Sequence, residues 1–138
     1  MKKEFKIEEN LSKDDFSFIK QKVREYNKKY GAKQDKDFQF CIRNEEGEII
    51  SGLFGCMFFG FAYIDYLWTD EKYRGQGLAT KLMKKIEEEA KENNCKYLLI
   101  DTMEYQAPKF YKNYGFTKGL ELKNCEGENS HFTLAKEI

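Results

Sequence analysis

Two stretches of the chain carry apolar residues at helical spacing. The first follows Ser12 and Asp15, a capping-box pattern with aspartate in place of the usual glutamate. Its apolar residues recur at steps of three and four: Phe16, Ile19, Val23, Tyr26 and Tyr30. In the second stretch, residues 77–93, one face is apolar and the opposite face carries lysine and glutamate: Ala79, Met83, Ile86 and Ala90 form the apolar one. Both patterns predict amphipathic helices, the first ending near Gly31.

Alternating or continuous apolar runs predict the strands. They cover residues 3–8, 38–42, 48–59, 61–69, 97–100, 116–122 and 130–136. The run 97–100 is apolar throughout, which is typical of a strand covered on both faces. Since it follows a strand, a glycine turn and a helix, it is expected to pair in parallel with 61–69 through a right-handed crossover. Pro108 and Gly115 predict the start and end of a short third helix.

These elements predict an α/β fold, with a mixed and mostly antiparallel sheet and a central parallel βαβ pair flanked by helices. At 138 residues the chain fits one domain, residues 1–138. Its 24 basic and 24 acidic residues balance, which argues against a nucleic-acid or anionic-membrane partner. No apolar run approaches the roughly 20 residues of a membrane span, and no signal peptide follows the first lysines, so a cytoplasmic protein is expected.

The cysteines and the single histidine give no metal motif. Four cysteines are widely spaced, without a Cys-x-x-Cys pair: Cys41, Cys56, Cys95 and Cys125. His131 cannot complete a common zinc set by itself. We therefore expect no metal, four reduced thiols with Cys95 buried rather than nucleophilic, and a surface or interface position for His131 on the closing strand.

A glycine-containing turn lies between the strand 61–69 and the helix 77–93. Its residues are Arg74, Gly75, Gln76, Gly77, Leu78, Ala79 and Thr80. Two glycines let the backbone approach a ligand closely, and the first amides of a helix lack internal acceptors. The turn therefore predicts a phosphate site, with an ordinary tight turn as the alternative.

Two common phosphate motifs do not fit this turn. A Walker loop needs Gly-x-x-x-x-Gly-Lys-Ser/Thr, which is absent. A dinucleotide fingerprint needs glycine or alanine where this chain has Thr80, and an acidic residue about 20 positions later at a strand end. A nicotinamide-binding oxidoreductase is therefore disfavoured.

The turn instead resembles motif A of the GNAT acetyltransferases, Gln/Arg-x-x-Gly-x-Gly/Ala, whose places are filled by Arg74, Gly77 and Ala79. A second segment, residues 106–116, resembles motif B, with Ala107, Tyr111 and then Gly-Phe. The resemblance implies a GNAT-like acyl-CoA N-acyltransferase fold with acetyl-CoA as acyl donor. It also implies that the pantetheine arm pairs with the strand before the turn, at Leu67, Trp68 and Thr69. One departure is Glu104, where the family often has asparagine, which removes one side-chain contact to CoA.

Direct acetyl transfer needs a proton donor for the departing thiolate. A phenol is protonated at neutral pH and has a pKa close above that of a thiol. The resemblance assigns this role to Tyr111. The alternative is that Tyr111 is a core aromatic, like its helical neighbours.

The acceptor amine must also lose a proton, and Asp65 is the only acid in the strand before the turn. By period two it is expected to share a face with Tyr63, Leu67 and Thr69. A base, a cation-binding carboxylate and a structural aspartate all stay open for it. Asp101, beside Thr102 and Glu104, could bind an acceptor ammonium or cap the following loop.

The resulting prediction is an N-acetyltransferase that moves acetyl from acetyl-CoA to a primary amine of a small molecule by direct attack in a ternary complex. The alternatives are a protein or peptide N-acetyltransferase and a non-catalytic acyl-CoA-binding module. A homodimer is one option for its assembly.

Overall fold

The computed structural model describes residues 3–33 and 35–138, which form two compact units divided at residue 34/35. Among residues 3–33 of the first unit, one helix forms, α1 (Lys13–Lys28). The Ser12 hydroxyl accepts from the Asp15 amide at 3.1 Å, and the Asp15 carboxylate accepts from the Ser12 amide at 3.4 Å. These two bonds confirm the capping box. The single-domain extent 1–138 stays a prediction.

The expected strand at residues 3–8 is wrong. These residues have no regular secondary structure, and no strand of the described chain pairs with them. A strand depends on a neighbour for its backbone hydrogen bonds, so an alternating pattern alone does not create one. The helix also ends earlier than predicted, because α1 stops at Lys28 while Gly31 adopts a φ of +85° beyond it.

The second unit is built on a six-stranded sheet with the order β1-β2-β3-β4-β6-β5. The strands are β1 (Lys36–Arg43), β2 (Ile49–Phe58), β3 (Phe61–Thr69), β4 (Tyr97–Met103), β5 (Thr117–Glu126) and β6 (Asn129–Glu137). Only β3 and β4 pair in parallel, and the other neighbours are antiparallel. The predicted mixed sheet with one central parallel pair is confirmed.

Two helices accompany this sheet, α2 (Leu78–Glu92) and α3 (Pro108–Tyr114). The buried face of α2 joins the core residues of β3 and β4, and its members are Leu82, Met83, Ile86 and Ala90. Each of the three larger side chains, Leu82, Met83 and Ile86, contributes roughly 1.5–3 kcal/mol through its burial. Ala79 was expected on that face but is only half-buried, and it lines a cavity at the helix start.

A β-bulge interrupts β3 at Asp65. Ile64 pairs with Gly55 and Tyr66 pairs with Phe54, which leaves Asp65 as the extra residue. Gly55 permits this geometry, because a Cβ at this position would collide with the carbonyl oxygen of Tyr63. After the bulge the alternation of faces is reversed.

The reversal corrects the predicted face of Asp65. Leu67 pairs with Leu53, so it points to the same face as Ile64, which belongs to the buried core. The side chains of Asp65 and Tyr66 are exposed on the other face, which we call the outer face. Asp65 therefore does not share a face with Leu67 and Thr69, because period two holds only within an uninterrupted strand.

The parallel pair is short. Pairing runs from Phe61↔Tyr97 to Ile64↔Ile100, although β3 continues to Thr69 and β4 to Met103. Beyond this last pair the two strands are not hydrogen-bonded to each other, which leaves a V-shaped gap in the sheet. Asp65 and Asp101 are the first residues after the vertex on either side.

Candidate active site

A cavity of about 770 Å³ lies at this gap, within the second unit. It joins the end of β3, the start of α2, the end of β4 and the face of α3. All the sequence-predicted site residues but one line it: Asp65, Leu67, Trp68, Thr69, Arg74, Gly75, Gly77, Leu78, Ala79, Thr80 and Tyr111. Gln76 is exposed and lies outside the lining. One concave site thus collects residues that are up to 46 positions apart (111 − 65).

The turn at the start of α2 has the backbone geometry that an anion requires. Gly75 and Gly77 have φ angles of +80° and +78°, and no atom lies within 4 Å of where a Cβ would stand. The N-cap Gly77 has no side chain to cap the first amides, and the first helical turn contains no acidic residue. Open amides at the positive end of a 15-residue helix suit a phosphate group.

The end of β3 is fixed next to this turn. The buried hydroxyl of Ser51 donates to the carbonyl oxygen of Trp68 at 2.9 Å and lies 2.8 Å from the Thr69 hydroxyl. Arg74 donates through Nε to the carbonyl oxygen of Thr69 at 3.4 Å. The guanidinium is exposed at the cavity, so it adds positive charge beside the helix start.

Tyr111 lies on α3 and is 6% exposed. Its ring packs edge-on against Phe110 at 5.3 Å and Phe116 at 5.7 Å. Burial raises the pKa of its hydroxyl to about 12. The phenol therefore keeps its proton at neutral pH and is available as a donor in the cavity. The two sequence interpretations are compatible, since the residue is both a core aromatic and a cavity-lining one.

Gln106 positions α3 by bonding to the end of β4. Its Oε1 accepts from the Met103 amide at 2.7 Å and from the buried Thr102 hydroxyl at 3.4 Å. These bonds close the loop between β4 and α3, so a side chain other than Asp101 makes this cap. Glu104 is exposed and lies outside the cavity lining.

Asp101 is instead the centre of a polar cluster on the outer face. Its Oδ1 accepts from the Thr133 hydroxyl at 2.7 Å and lies 3.7 Å from His131 Nε2. Its Oδ2 accepts from the Tyr63 hydroxyl. Burial, together with the bond to Asp101 and the nearby charges of Asp101 and Asp65, raises the pKa of Tyr63 to about 12. Tyr63 therefore stays a donor to the carboxylate at neutral pH.

This cluster contains the residues that the sequence interpretation missed or misplaced. His131 lies on the closing strand, as expected, with its side chain 26% exposed and 3.7 Å from Asp101, a contact that the sequence did not indicate. Its Nδ1 is buried and has no hydrogen-bond partner within residues 3–33 and 35–138. Thr133 pairs with Asp101 across β4 and β6, and Tyr63 reaches the same carboxylate from β3. A hydroxyl-bearing residue in an otherwise apolar stretch was the available signal for Tyr63, whereas Thr133 lies in a mixed strand and had no such signal.

Metal-ligand clusters and membrane-spanning helices are both absent from the described residues. In the part of the chain that the structure describes, no group of three or more His, Cys, Asp or Glu residues could hold a metal ion. In the same part, no helix is long and apolar enough to cross a membrane. Cys95 is buried, at 8% exposure, as expected.

Known proteins are similar to this chain in both sequence and fold. The family model described as "Acetyltransferase (GNAT) family" matches residues 6–116. Acetyltransferase Atu2258 of Agrobacterium fabrum is 39% identical over 90 residues, which cover 65% of this chain and 66% of that protein. Blasticidin-S acetyltransferase of Streptomyces morookaense is 33% identical over 96 residues, which cover 68% of this chain and 70% of that protein. The matches thus span about two thirds of either relative.

Solved structures extend the likeness to nearly the whole chain. An acetyltransferase from Bacillus cereus superposes with a TM-score of 0.84 at 32% identity, covering 96% of this chain and 98% of that one. A structure from Bacillus anthracis in complex with acetyl coenzyme A gives a TM-score of 0.68 at 21% identity, covering 77% of this chain and 64% of that one, which is a likeness of fold alone. Together with the family match, these findings confirm the expected fold. The chain belongs to the GNAT family of acetyl-transferring enzymes.

Proposed function

We propose that this protein transfers the acetyl group of acetyl-CoA to a primary amine of a small molecule, by direct attack in a ternary complex. The observation that carries this proposal is a single cavity that contains both a phosphate-binding type of turn and candidate acid–base side chains. One end has the uncapped glycine turn of α2, which suits a phosphate, and the other end has Tyr111 and Asp65 at the gap between β3 and β4. A donor held by its pyrophosphate could extend along β3 to this gap.

The donor end binds through backbone groups. The amides that follow Gly77 would hold the pyrophosphate, and Arg74 would add a charge-assisted contact. Residues 65–69 are not paired with β4, so this edge of β3 is open to the amide groups of a pantetheine arm. A backbone amide near Leu67 or Thr69 would stabilise the negative charge that develops on the thioester oxygen.

The reaction must move two protons away from the acceptor nitrogen. An ammonium R–NH₃⁺ first loses one proton, and the free amine attacks the thioester carbon. The C–N bond forms, the C–S bond breaks, and its electron pair leaves on sulfur. The nitrogen loses a second proton to become an amide, the sulfur gains one, and one proton passes to solvent.

Tyr111 and Asp65 are the residues proposed for these transfers. The Tyr111 hydroxyl donates to the departing sulfur and regains its proton from solvent. This hydroxyl is protonated at neutral pH, and the developing thiolate must draw the proton from it even though burial raises its pKa to about 12. Asp65 accepts the proton of the acceptor nitrogen directly or through water, because its exposed carboxylate lies at the vertex of the gap.

A small-molecule acceptor is favoured by the similarity to blasticidin-S acetyltransferase, which names a small-molecule substrate. A peptide N-acetyltransferase and a non-catalytic acyl-CoA-binding module are the rival functions. Tyr111 favours an enzyme over the module, because a binding module needs no proton donor beside the thioester. A homodimer, a cytoplasmic location and the absence of a nucleic-acid partner stay predictions.

The test is a panel of small primary amines and of short peptides, each incubated with acetyl-CoA while free thiol is measured. We expect amine-dependent thiol release with some of the small amines and none above background with the peptides. The matched control is Tyr111→Phe, which should lose that release. Release with peptides alone would favour the first rival function. Acetyl-CoA binding without release for any acceptor would favour the module.

A further inference from the structure

The outer face of the sheet at the vertex carries groups that the proposed transfer does not yet use. Asp101 is bonded to Tyr63 and Thr133 and faces His131, so three strands (β3, β4 and β6) converge on one carboxylate. Asp101 also lines the cavity, directly after the last parallel pair. A carboxylate held by two hydrogen bonds therefore lies next to the gap where the acceptor nitrogen must enter.

The hydrogen bonds orient the Asp101 carboxylate but leave some of its acceptor positions unoccupied by protein donors. Each oxygen accepts one protein hydroxyl, whereas an ionised carboxylate offers about four acceptor positions. Its side chain is 34% exposed, so the remaining positions are accessible from the cavity. A fixed, partly desolvated carboxylate binds a cation more tightly than a mobile surface one, because no side-chain entropy is lost on binding.

Two aromatic rings on the outer face line the same cavity as this carboxylate. The bulge at Asp65 turns Tyr66 and Trp68 to the outer face, where each lines the cavity and is about half or more exposed, at 66% and 49%. The Tyr66 ring also contacts Phe54 at 5.0 Å, which supports it from the side. Exposed rings beside a negative charge attract an organic cation through both apolar contact and cation–π attraction.

We propose that Asp101 binds the ammonium group of the acceptor, and that the acceptor is an organic cation whose flat or apolar body lies against Tyr66 and Trp68. The proposal rests on the proposed acetyl transfer and specifies its acceptor. Tyr63 and Thr133 are positioning residues, which act by holding the Asp101 carboxylate.

The charges around the site favour one class of amine over another. The charged side chains that line the cavity are the carboxylates of Asp65 and Asp101 and, at the start of α2, the guanidinium of Arg74. Tyr63 and His131 contact Asp101 from outside this lining. Two carboxylates attract an ammonium group but repel an acceptor that carries its own carboxylate beside the amine. Simple cationic amines should therefore bind better than α-amino acids of the same size.

The probes are 2-phenylethylamine and phenylalanine, which share a skeleton and differ by one carboxylate. Their dissociation constants are measured by calorimetry or ligand-observed NMR on CoA-saturated protein, so that no turnover is needed. For the wild type we expect 2-phenylethylamine to bind at least tenfold more tightly. Asp101→Asn should weaken its binding about tenfold, equivalent to about 1.4 kcal/mol, and leave phenylalanine within threefold.

Three more variants complete the design. Tyr63→Phe and Thr133→Val should each weaken 2-phenylethylamine several-fold without changing CoA affinity, because they loosen the carboxylate. Glu104→Gln removes a carboxylate close in sequence but outside the cavity lining, and it should change the dissociation constant of neither probe. If either probe is acetylated, Asp101→Asn should raise KM far more than it lowers kcat.

Equal binding of the two probes to the wild type would overturn the proposal, as would an Asp101→Asn variant that binds them as the wild type does. Melting curves identify any variant that is unfolded, and Tyr63→Phe then carries the comparison. Absence of thiol release with every amine would contradict the proposed function instead, and the binding constants would still test Asp101.

Discussion

The two ends of the cavity present different chemical groups, backbone amides at one end and side chains at the other. At the α2 end the ligand-facing groups are backbone amides and two glycines with positive φ, with Arg74 as the only charged side chain among the described residues that line this turn. At the vertex end the groups are side chains, with the carboxylates of Asp65 and Asp101 among tyrosine and tryptophan rings. One end therefore suits an anion and the other a cation.

This difference separates binding of the donor, acetyl-CoA, from selection of the acceptor amine. Amides at a helix start bind phosphate oxygens through backbone geometry, so this contact depends on conformation rather than on side-chain identity. Side chains from three strands can change one at a time, so they are suited to setting which amine enters. Changes at the α2 end should therefore abolish all activity, whereas changes at the vertex should alter acceptor choice and pH dependence.

The largest effect is expected from Gly77→Asp, which should abolish acetyl-CoA binding. The new side chain would enter the space of the phosphate and could itself accept from the first helix amides, and its negative charge would repel the pyrophosphate. Calorimetric titration with acetyl-CoA measures the loss. Gly47→Asp is the matched control, because Gly47 has a similar φ of +83° with open space around it but lies outside the cavity. Equal loss in both variants would mean that backbone strain, not the phosphate site, is responsible.

Tyr111→Phe should lower kcat by roughly 10²–10⁴-fold and leave acetyl-CoA affinity nearly unchanged. Wild-type activity should rise with pH as more of the acceptor becomes free amine. Since burial raises the pKa of Tyr111 to about 12, loss of its proton should not reduce activity until the pH exceeds about 11. Steady-state kinetics over this range checks both statements. Tyr114→Phe on the same helix, outside the cavity lining, serves as the control. Unchanged turnover of Tyr111→Phe would leave Tyr111 a packing residue alone.

Asp65→Asn should lower kcat/KM by about 100-fold if the carboxylate accepts the acceptor's proton, at the low end of the usual range for acid–base catalysis. The deficit should shrink as pH rises, because solvent then supplies more of the free amine. A pH–rate profile of both proteins measures this. A raised KM with unchanged kcat would make Asp65 a second cation-binding carboxylate. Parallel profiles with a lowered melting temperature would make it structural.

A further effect concerns the free energy of unfolding at high pH. A tyrosine with an unfolded pKa near 10 and a folded pKa of about 12 keeps its proton in the folded state while the unfolded state loses it. Its contribution is therefore present below about pH 10 and is lost as pH rises towards 12. Urea unfolding should show that the wild type loses about 2–3 kcal/mol more than Tyr111→Phe over this interval. An equal loss in both proteins would contradict the burial of the Tyr111 hydroxyl.

The α2 end was predictable because its signals are local. Arg74, Gly77 and Ala79 lie within six consecutive residues, and the strand, turn and helix around them follow from periodicity. Pro108 and Gly115 likewise mark the bounds of α3, as the structure confirms. For such segments, the order of residues in the chain is also their order in space.

The vertex end was not predictable in the same way, since it depends on register. The bulge at Asp65 exists because Gly55, on a different strand, lets β3 approach closely, and no period within β3 reveals it. Tyr63 and Thr133 meet Asp101 only once β3, β4 and β6 are aligned. The strand expected at residues 3–8 failed for a related reason, because pairing and not alternation makes a strand.

The central claim is that the α2 turn holds acetyl-CoA, and a melting curve with and without this ligand tests it most directly. A ligand present at 100 times its dissociation constant stabilises the folded state by about 2.7 kcal/mol, which corresponds to a rise of several degrees in Tm. We expect this rise with acetyl-CoA and none with NAD at the same concentration. An unchanged Tm with saturating acetyl-CoA, or an equal rise with NAD, would contradict the account.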